Sequence, residues 1–85
     1  MDLAKKVLIT RLFDYYGRLL TDNQQEQIRA YYLLDMSLAE IAEESGVSRQ
    51  AVRDGIKRAE SALIDFEEKV GFMKYVDSVE GSAGR

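Results

Sequence analysis

The sequence contains no cysteine and no histidine. Without cysteine the chain has no disulfide framework and no thiolate metal site. Without histidine it also lacks the side chain that most often serves as a general base or as a metal ligand. We therefore expect a protein that is not an enzyme and that holds neither a cofactor nor a metal ion.

Proline is also absent, and no apolar run reaches the length of about eighteen residues that a membrane-spanning helix needs. No signal-peptide pattern precedes the amphipathic segments, so we expect a cytoplasmic protein. With 46% hydrophobic and 32% charged residues among 85, the composition is typical of a folded helical chain. We predict a single all-α domain over residues 1–80 and a flexible tail, GSAGR, over residues 81–85.

Positive charge is scarce for a protein that binds nucleic acid. Twelve Lys and Arg residues face fifteen Asp and Glu residues, which gives a net charge of -3 and a pI near 4.9. Nucleic-acid-binding domains are usually basic. Any contact with nucleic acid must therefore depend on a local cluster of basic side chains.

The first half of the chain predicts two helices. Asp2 is a candidate N-cap for a helix over residues 2–16, which Gly17 ends. Its apolar residues spread over more than one face, so part of this helix is available to a second subunit as a homodimer contact, although a wide core-facing stripe is the preferred interpretation. Thr21 and Gln24 form a capping box that predicts a second helix from Asp22 to about Leu34, with Leu34 in the core.

The second half predicts a helix-turn-helix. Ser37 and Glu40 form a capping box that opens a helix over Leu38–Ser45, and Gly46 is the expected stop. Ser48 can cap a long amphipathic helix from Arg49 to Gly71, whose acidic second half is expected to lie away from nucleic acid. Two helices joined by so short a turn are typical of a helix-turn-helix, in which the second helix reads the ligand. A last short helix, or a continuation, follows in residues 72–79.

Polar side chains cluster at the start of the predicted reading helix, opposite its apolar stripe. Arg can bridge guanine, Gln can bridge adenine, and Lys or a capping Ser can hold phosphate. A solvated charged surface is the alternative interpretation, and Asp54 with the acidic residues of the preceding helix would oppose phosphate. The candidate nucleic-acid-binding residues are Ser48, Arg49, Gln50, Arg53, Lys57 and Arg58.

Gly55 lies inside the predicted reading helix, where glycine costs about 1 kcal/mol relative to alanine. Its missing side chain could admit a ligand backbone, but variation at an exposed position is the preferred interpretation. The aromatic residues of the first two helices could stack on bases. Their helical spacing favours core packing instead.

Residues Leu20–Leu63 resemble the C-terminal region of bacterial sigma factors that reads the promoter -35 element, known as region 4. The similarity rests on a set of short matches: Leu20-Thr21, Gln25, Ser37, Ile41-Ala42, Gly46-Val47-Ser48, Val52 and Arg58-Ala59. This resemblance implies a small helical bundle with a helix-turn-helix and a long C-terminal helix.

The chain is more closely similar to the YlxM family of helix-turn-helix proteins, over about residues 11–68. The matching residues lie in the first four predicted helices and in the connections between them: Arg11-Leu12-Phe13-Asp14-Tyr15-Tyr16, Leu19-Leu20-Thr21, Tyr31-Tyr32, Asp35, Ser37-Leu38, Glu40-Ile41-Ala42-Glu43, Val47-Ser48-Arg49-Gln50-Ala51-Val52, Asp54 and Ile56-Lys57-Arg58. The run from Val47 to Val52, followed by Ile56-Lys57-Arg58, is fairly specific to this family.

The resemblance implies a regulatory role in the signal recognition particle pathway, with the particle's RNA, its GTPases or promoter DNA as candidate partners. Three functions remain open. The first is a regulator of that pathway that binds nucleic acid, and the second is a sequence-specific DNA-binding transcription regulator. The third is a protein–protein adaptor that kept the fold without nucleic-acid binding.

Overall fold

The computed structural model describes residues 2–83, which contain five α-helices and confirm the all-α fold. A 3-10 turn, Gly17–Leu19, follows the first helix, and a π-helical turn, Arg29–Leu33, follows the second. None of the helices within these residues is long and apolar enough to cross a membrane. The helices are α1 (Leu3–Tyr16), α2 (Asp22–Ile28), α3 (Leu38–Ser45), α4 (Arg49–Val70) and α5 (Phe72–Ala83).

Each of the first four helices begins after a side-chain cap, at the position that the sequence predicts. The Asp2 carboxylate accepts the Ala4 amide at the start of α1. Both capping boxes are complete: Thr21 pairs with Gln24 before α2, and Ser37 pairs with Glu40 before α3. These caps satisfy amides that have no partner within their own helix, which fixes the helix starts locally.

The predicted helix over residues 22–34 is α-helical only as far as Ile28. Beyond it the chain widens into the π-helical turn, where the Leu34 amide donates to the Arg29 carbonyl at 3.0 Å. The wider turn leaves Tyr32 only 2% exposed while Leu34 is 64% exposed. The predicted burial of Leu34 is therefore wrong, because a π turn changes which side chains face the core.

Helix α4 is the centre of the fold and packs against α1, α2 and α3. Its buried stripe recurs every three or four residues, as expected for one face of a helix. The apolar residues of this stripe are Val52, Ile56, Ala59 and Leu63. The other helices cover it with Ile9, Leu12, Tyr16, Leu20, Ile28, Tyr32, Ile41 and Ala42.

Helix α1 is only partly buried. Ile9 and Leu12 are each 1% exposed, whereas Leu3 is 73% and Val7 is 52% exposed. The predicted spread of apolar residues over more than one face is confirmed. The preferred interpretation, that these residues form one wide stripe facing the core, is wrong for Leu3 and Val7. The face of α1 that contacts the core is narrower than the face that carries its apolar residues.

Gly71 separates α4 from α5 by adopting a left-handed conformation with φ 69°. The Glu67 carboxylate then accepts the Met73 amide at 3.0 Å and the Tyr16 hydroxyl at 2.6 Å, which ties the start of α5 to α1. Arg11 pairs with Asp77 at 2.7 Å farther along α5. The last segment is therefore a separate helix rather than a continuation of α4. It extends through residue 83 into the predicted tail 81–85, of which residues 84–85 lie outside the described range.

Candidate nucleic-acid interface

The turn between α3 and α4 has the geometry that the sequence predicts. Gly46 adopts a left-handed conformation with φ 72° and ψ 24°, and the Val47 amide donates to the Ala42 carbonyl at 3.2 Å. The Ser48 hydroxyl oxygen accepts the Ala51 amide at 3.0 Å and begins α4. Both ends of the turn are thus fixed by hydrogen bonds, so the start of α4 has a defined orientation relative to α3.

All six predicted contact residues are exposed at the turn or on the first three turns of α4. Arg49, Arg53 and Lys57 follow one another at intervals of four residues, so they lie along one side of the helix. Within residues 2–83 none of these three cations, nor Arg58, forms an ion pair. Their charges are therefore available to an anionic ligand.

Two of the six side chains already have partners. The Gln50 amide donates to the Asp54 carboxylate at 3.0 Å, so Gln50 must exchange this partner before it can read a base. The Ser48 oxygen accepts a backbone amide, but its own hydroxyl proton remains able to donate to a phosphate oxygen. Ser48 can therefore cap the helix and hold a phosphate at the same time.

Acidic residues gather on α3, the helix that precedes the basic surface in the chain. Glu40, Glu43 and Glu44 line one depression with Met36. Hydrogen bonds from the Ser37 backbone amide and hydroxyl lower the pKa of Glu40, which keeps this carboxylate charged. Three carboxylates so close together disfavour phosphate, so the basic side chains of α4 are the candidate contact surface.

Gly55 faces α2 rather than solvent. A Cβ atom at this position would lie 2.5 Å from Gln27 Oε1 and 2.8 Å from Gln27 Nε2. Gln27 is only 9% exposed, and its Oε1 has no hydrogen-bond partner in the described structure. The interpretation of Gly55 as variation at an exposed position is therefore wrong, because the missing side chain makes room for the Gln27 amide.

Glu60 is the main polar residue that the sequence interpretation missed. It is 9% exposed, accepts a hydrogen bond from the Tyr32 hydroxyl and pairs with Lys5 at 3.3 Å. In the sequence interpretation it counts only as part of the acidic second half of α4. A signal was available: Glu60 follows Ile56 by four residues and precedes Leu63 by three, which places it on the buried stripe.

A cleft lies beside the basic side of α4, between α1, the π-helical turn and α3. We call it the Tyr31 cleft, with a volume of about 340 Å³. Burial, followed by the hydrogen bond to Glu60, raises the pKa of Tyr32 at its inner wall. Its lining includes Lys5, Tyr31, Tyr32, Leu38, Arg53 and Lys57.

The described residues show no cluster of acidic side chains arranged to hold a metal ion. The arrangement at α4 offers charge, hydrogen-bond donors and one helix start. These groups can bind and orient an anionic polymer.

Comparison with known proteins agrees with this geometry. The profile of the UPF0122 family, described as "Putative helix-turn-helix protein, YlxM / p13 like", matches residues 3–80. A UPF0122 protein of Symbiobacterium thermophilum is 62% identical over 65 residues, which cover 76% of this chain and 61% of that protein. A UPF0122 protein of a Thermoanaerobacter species is 54% identical over 68 residues, 80% of this chain and 58% of that protein.

A UPF0122 protein of Streptococcus gordonii is 54% identical over 70 residues, 82% of this chain and 64% of that protein. The chain thus spans roughly six-tenths of the length of the curated relatives that it matches. The family profile nevertheless covers nearly all of the chain and includes the complete helix-turn-helix. The chain belongs to the UPF0122 family of YlxM / p13-like helix-turn-helix proteins.

Proposed function

We propose that this chain is a non-enzymatic regulatory protein that binds nucleic acid through the N-terminal half of α4. The observation that carries the proposal is the row of exposed cations, Arg49, Arg53 and Lys57, on a helix whose start is fixed by the turn at Gly46. A helix held this way can enter a groove with its N-terminal residues foremost. The proposed contact residues are Ser48, Arg49, Gln50, Arg53, Lys57 and Arg58.

The net charge of -3 sets the character of this binding. The basic side chains act against the acidic depression of α3, so we expect moderate affinity that falls steeply as salt concentration rises. The same contrast between basic α4 and acidic α3 determines how the nucleic acid is oriented on the protein. Nucleic acid that approaches α4 from the side away from α3 meets cations and avoids the acidic residues of α3, although it still meets Asp54 on α4 itself.

We extend the proposal to the signal recognition particle pathway on the similarity to the YlxM family. The proposed partners are the particle's RNA and the pathway's GTPases. A sequence-specific DNA-binding transcription regulator is the competing function that uses the same helix. The two differ in ligand, because the first requires RNA binding and the second requires preference for a duplex DNA sequence.

The test is a titration of labelled particle RNA and labelled random duplex DNA with the protein at two salt concentrations. The double variant Arg49→Ala, Arg53→Ala should lose about tenfold or more in affinity and show a weaker salt dependence. The matched control is Lys69→Ala, Lys74→Ala, which removes the same charge from exposed positions at the end of α4 and the start of α5. The control should bind as the parent does, apart from the small effect of net charge.

Three results decide the proposal. If the Arg49, Arg53 double variant binds as tightly as the parent, the contact assignment is wrong. If the parent binds neither ligand, the protein–protein adaptor replaces the nucleic-acid-binding regulator. If duplex DNA binds tightly and particle RNA does not, the transcription regulator is favoured over the role in the particle pathway.

We also propose a homodimer through the outward side of α1. Leu3 and Val7 are apolar, exposed and one helical turn apart. A second subunit would remove them from water and would present two copies of α4 to one ligand. Sedimentation equilibrium tests this part: a concentration-dependent rise toward twice the chain mass that Val7→Glu abolishes supports the dimer, and a single-chain mass at high concentration refutes it.

A further inference from the structure

The Tyr31 cleft opens directly beside the proposed nucleic-acid surface. Arg53 and Lys57 belong to both, since they lie on the exposed side of α4 and also line the cleft. Its volume of about 340 Å³ lies at the lower end of the range typical of sites for small organic molecules. A nucleic acid that runs along α4 therefore passes an opening large enough for one nucleotide.

The walls of the cleft include a firmly held aromatic pair. Tyr31 is half-buried, and its ring lies perpendicular to that of Tyr32 with 5.3 Å between centroids. Tyr32 is itself buried, and its hydroxyl donates to Glu60. A ring that already packs against a neighbouring ring is suited to stacking against a planar group, because it loses little side-chain freedom on binding.

The charges of the cleft favour an anion although acidic residues are present. The Glu60 carboxylate forms an ion pair with Lys5 at 3.3 Å and accepts a hydrogen bond from the Tyr32 hydroxyl. Asp2 accepts the Ala4 amide at 3.1 Å as the cap of α1. Arg53 and Lys57 form no ion pair within residues 2–83. The cleft is thus lined by three cations, Lys5, Arg53 and Lys57, against the two carboxylates of Asp2 and Glu60, and two of these cations remain for a ligand.

We propose that the Tyr31 cleft binds one unpaired nucleotide of a single-stranded nucleic acid. The base stacks on Tyr31, and the adjoining phosphates are neutralised by Arg53 and Lys57, while Lys5 balances the charge of Glu60. A base inside a duplex is stacked and paired, so it cannot enter the cleft without being extruded. Single-stranded loops present bases that are free to stack on aromatic side chains. The cleft therefore gives the protein a preference for unpaired segments over a regular duplex.

This inference rests on the proposed function, because a nucleotide reaches the cleft only if the chain binds nucleic acid. The test measures affinity for labelled oligouridylate and for labelled random duplex DNA side by side. Tyr31→Leu removes the ring and should weaken oligouridylate binding by about tenfold with duplex binding unchanged. Tyr31→Phe keeps the ring and should bind both ligands as the parent does. Tyr75→Leu is the matched control, since Tyr75 is exposed on α5 away from the cleft.

A second variant keeps the test decisive if Tyr31→Leu fails to fold, as judged by circular dichroism. Lys5 lies outside the proposed α4 contact set and pairs with Glu60. Lys5→Gln leaves the Glu60 charge unbalanced in the cleft, so it should weaken binding of oligouridylate but not of duplex DNA. Equal loss for both ligands, or no loss for either in the folded variants, overturns the cleft and leaves the proposed function standing. Failure of the parent to bind either ligand overturns both.

Discussion

The contact between Gly55 and Gln27 supports a quantitative prediction about how α2 and α4 fit together. Alanine is favoured over glycine in a helix interior by about 1 kcal/mol, so Gly55→Ala would stabilise α4 if nothing opposed it. The new Cβ would lie 2.5 Å from Gln27 Oε1 and 3.0 Å from Gln27 Cδ. The buried amide must therefore move, and displacement of a packed side chain typically costs about 1–3 kcal/mol.

A double-mutant cycle separates these two contributions. In the Gln27→Ala background the obstacle is gone, and Gly55→Ala should raise the free energy of unfolding by about 1 kcal/mol. In the parent background the same change should be neutral or destabilising. We expect a coupling of about 1 kcal/mol or more between the two sites, within the range found for residues in contact.

The assay is urea unfolding of the four proteins in the cycle, followed by far-ultraviolet circular dichroism. Gly81→Ala is the control, because a Cβ atom on Gly81 in α5 meets no neighbour. Its effect should be the same with and without Gln27→Ala. If Gly55→Ala has equal effects in the two backgrounds to within about 0.3 kcal/mol, the reasoning about this contact is refuted.

Three further changes test other contacts by urea unfolding. Gly46→Ala should cost about 1–2 kcal/mol, because φ is 72° there; no loss would contradict the left-handed turn. Tyr32→Phe should cost about 1.5–3 kcal/mol, since it removes the hydroxyl that donates to Glu60. The Tyr16 hydroxyl holds the pKa of Glu67 below the usual 4.5, so this stabilisation is complete above that pH and lost as pH falls through the lower folded value. Glu67→Gln should therefore flatten the acid dependence of stability, and an unchanged acid profile would contradict that contact.

Local sequence signals predicted the helix-turn-helix well. Ser37, Glu40, Gly46 and Ser48 each act on backbone groups within a few residues, so their effects can be read from short spacings. The turn and the start of α4 follow from them almost completely. The exposure of Arg49 and its neighbours follows as well, because the buried stripe of α4 fixes the opposite side.

Features that depend on contacts distant in sequence could not be predicted in the same way. The π-helical turn that exposes Leu34 widens the chain without any cap or breaker to mark it. The role of Gly55 depends on Gln27, which lies on another helix, and the docking of α5 depends on Glu67 meeting Tyr16. Such pairings between distant residues can be identified only in the folded structure. The Tyr31 cleft belongs to this group, since its residues come from four separate segments.

Binding through the start of α4 is the central claim, and backbone amide NMR tests it most directly. The isotope-labelled protein is titrated with particle RNA while the amide shifts are followed residue by residue. We expect the largest shifts on residues 48–58, with further shifts at Lys5 and Tyr31 and little change in α5. Shifts confined to α1 and α5, or no shifts at concentrations that saturate other helix-turn-helix proteins, would contradict the claim.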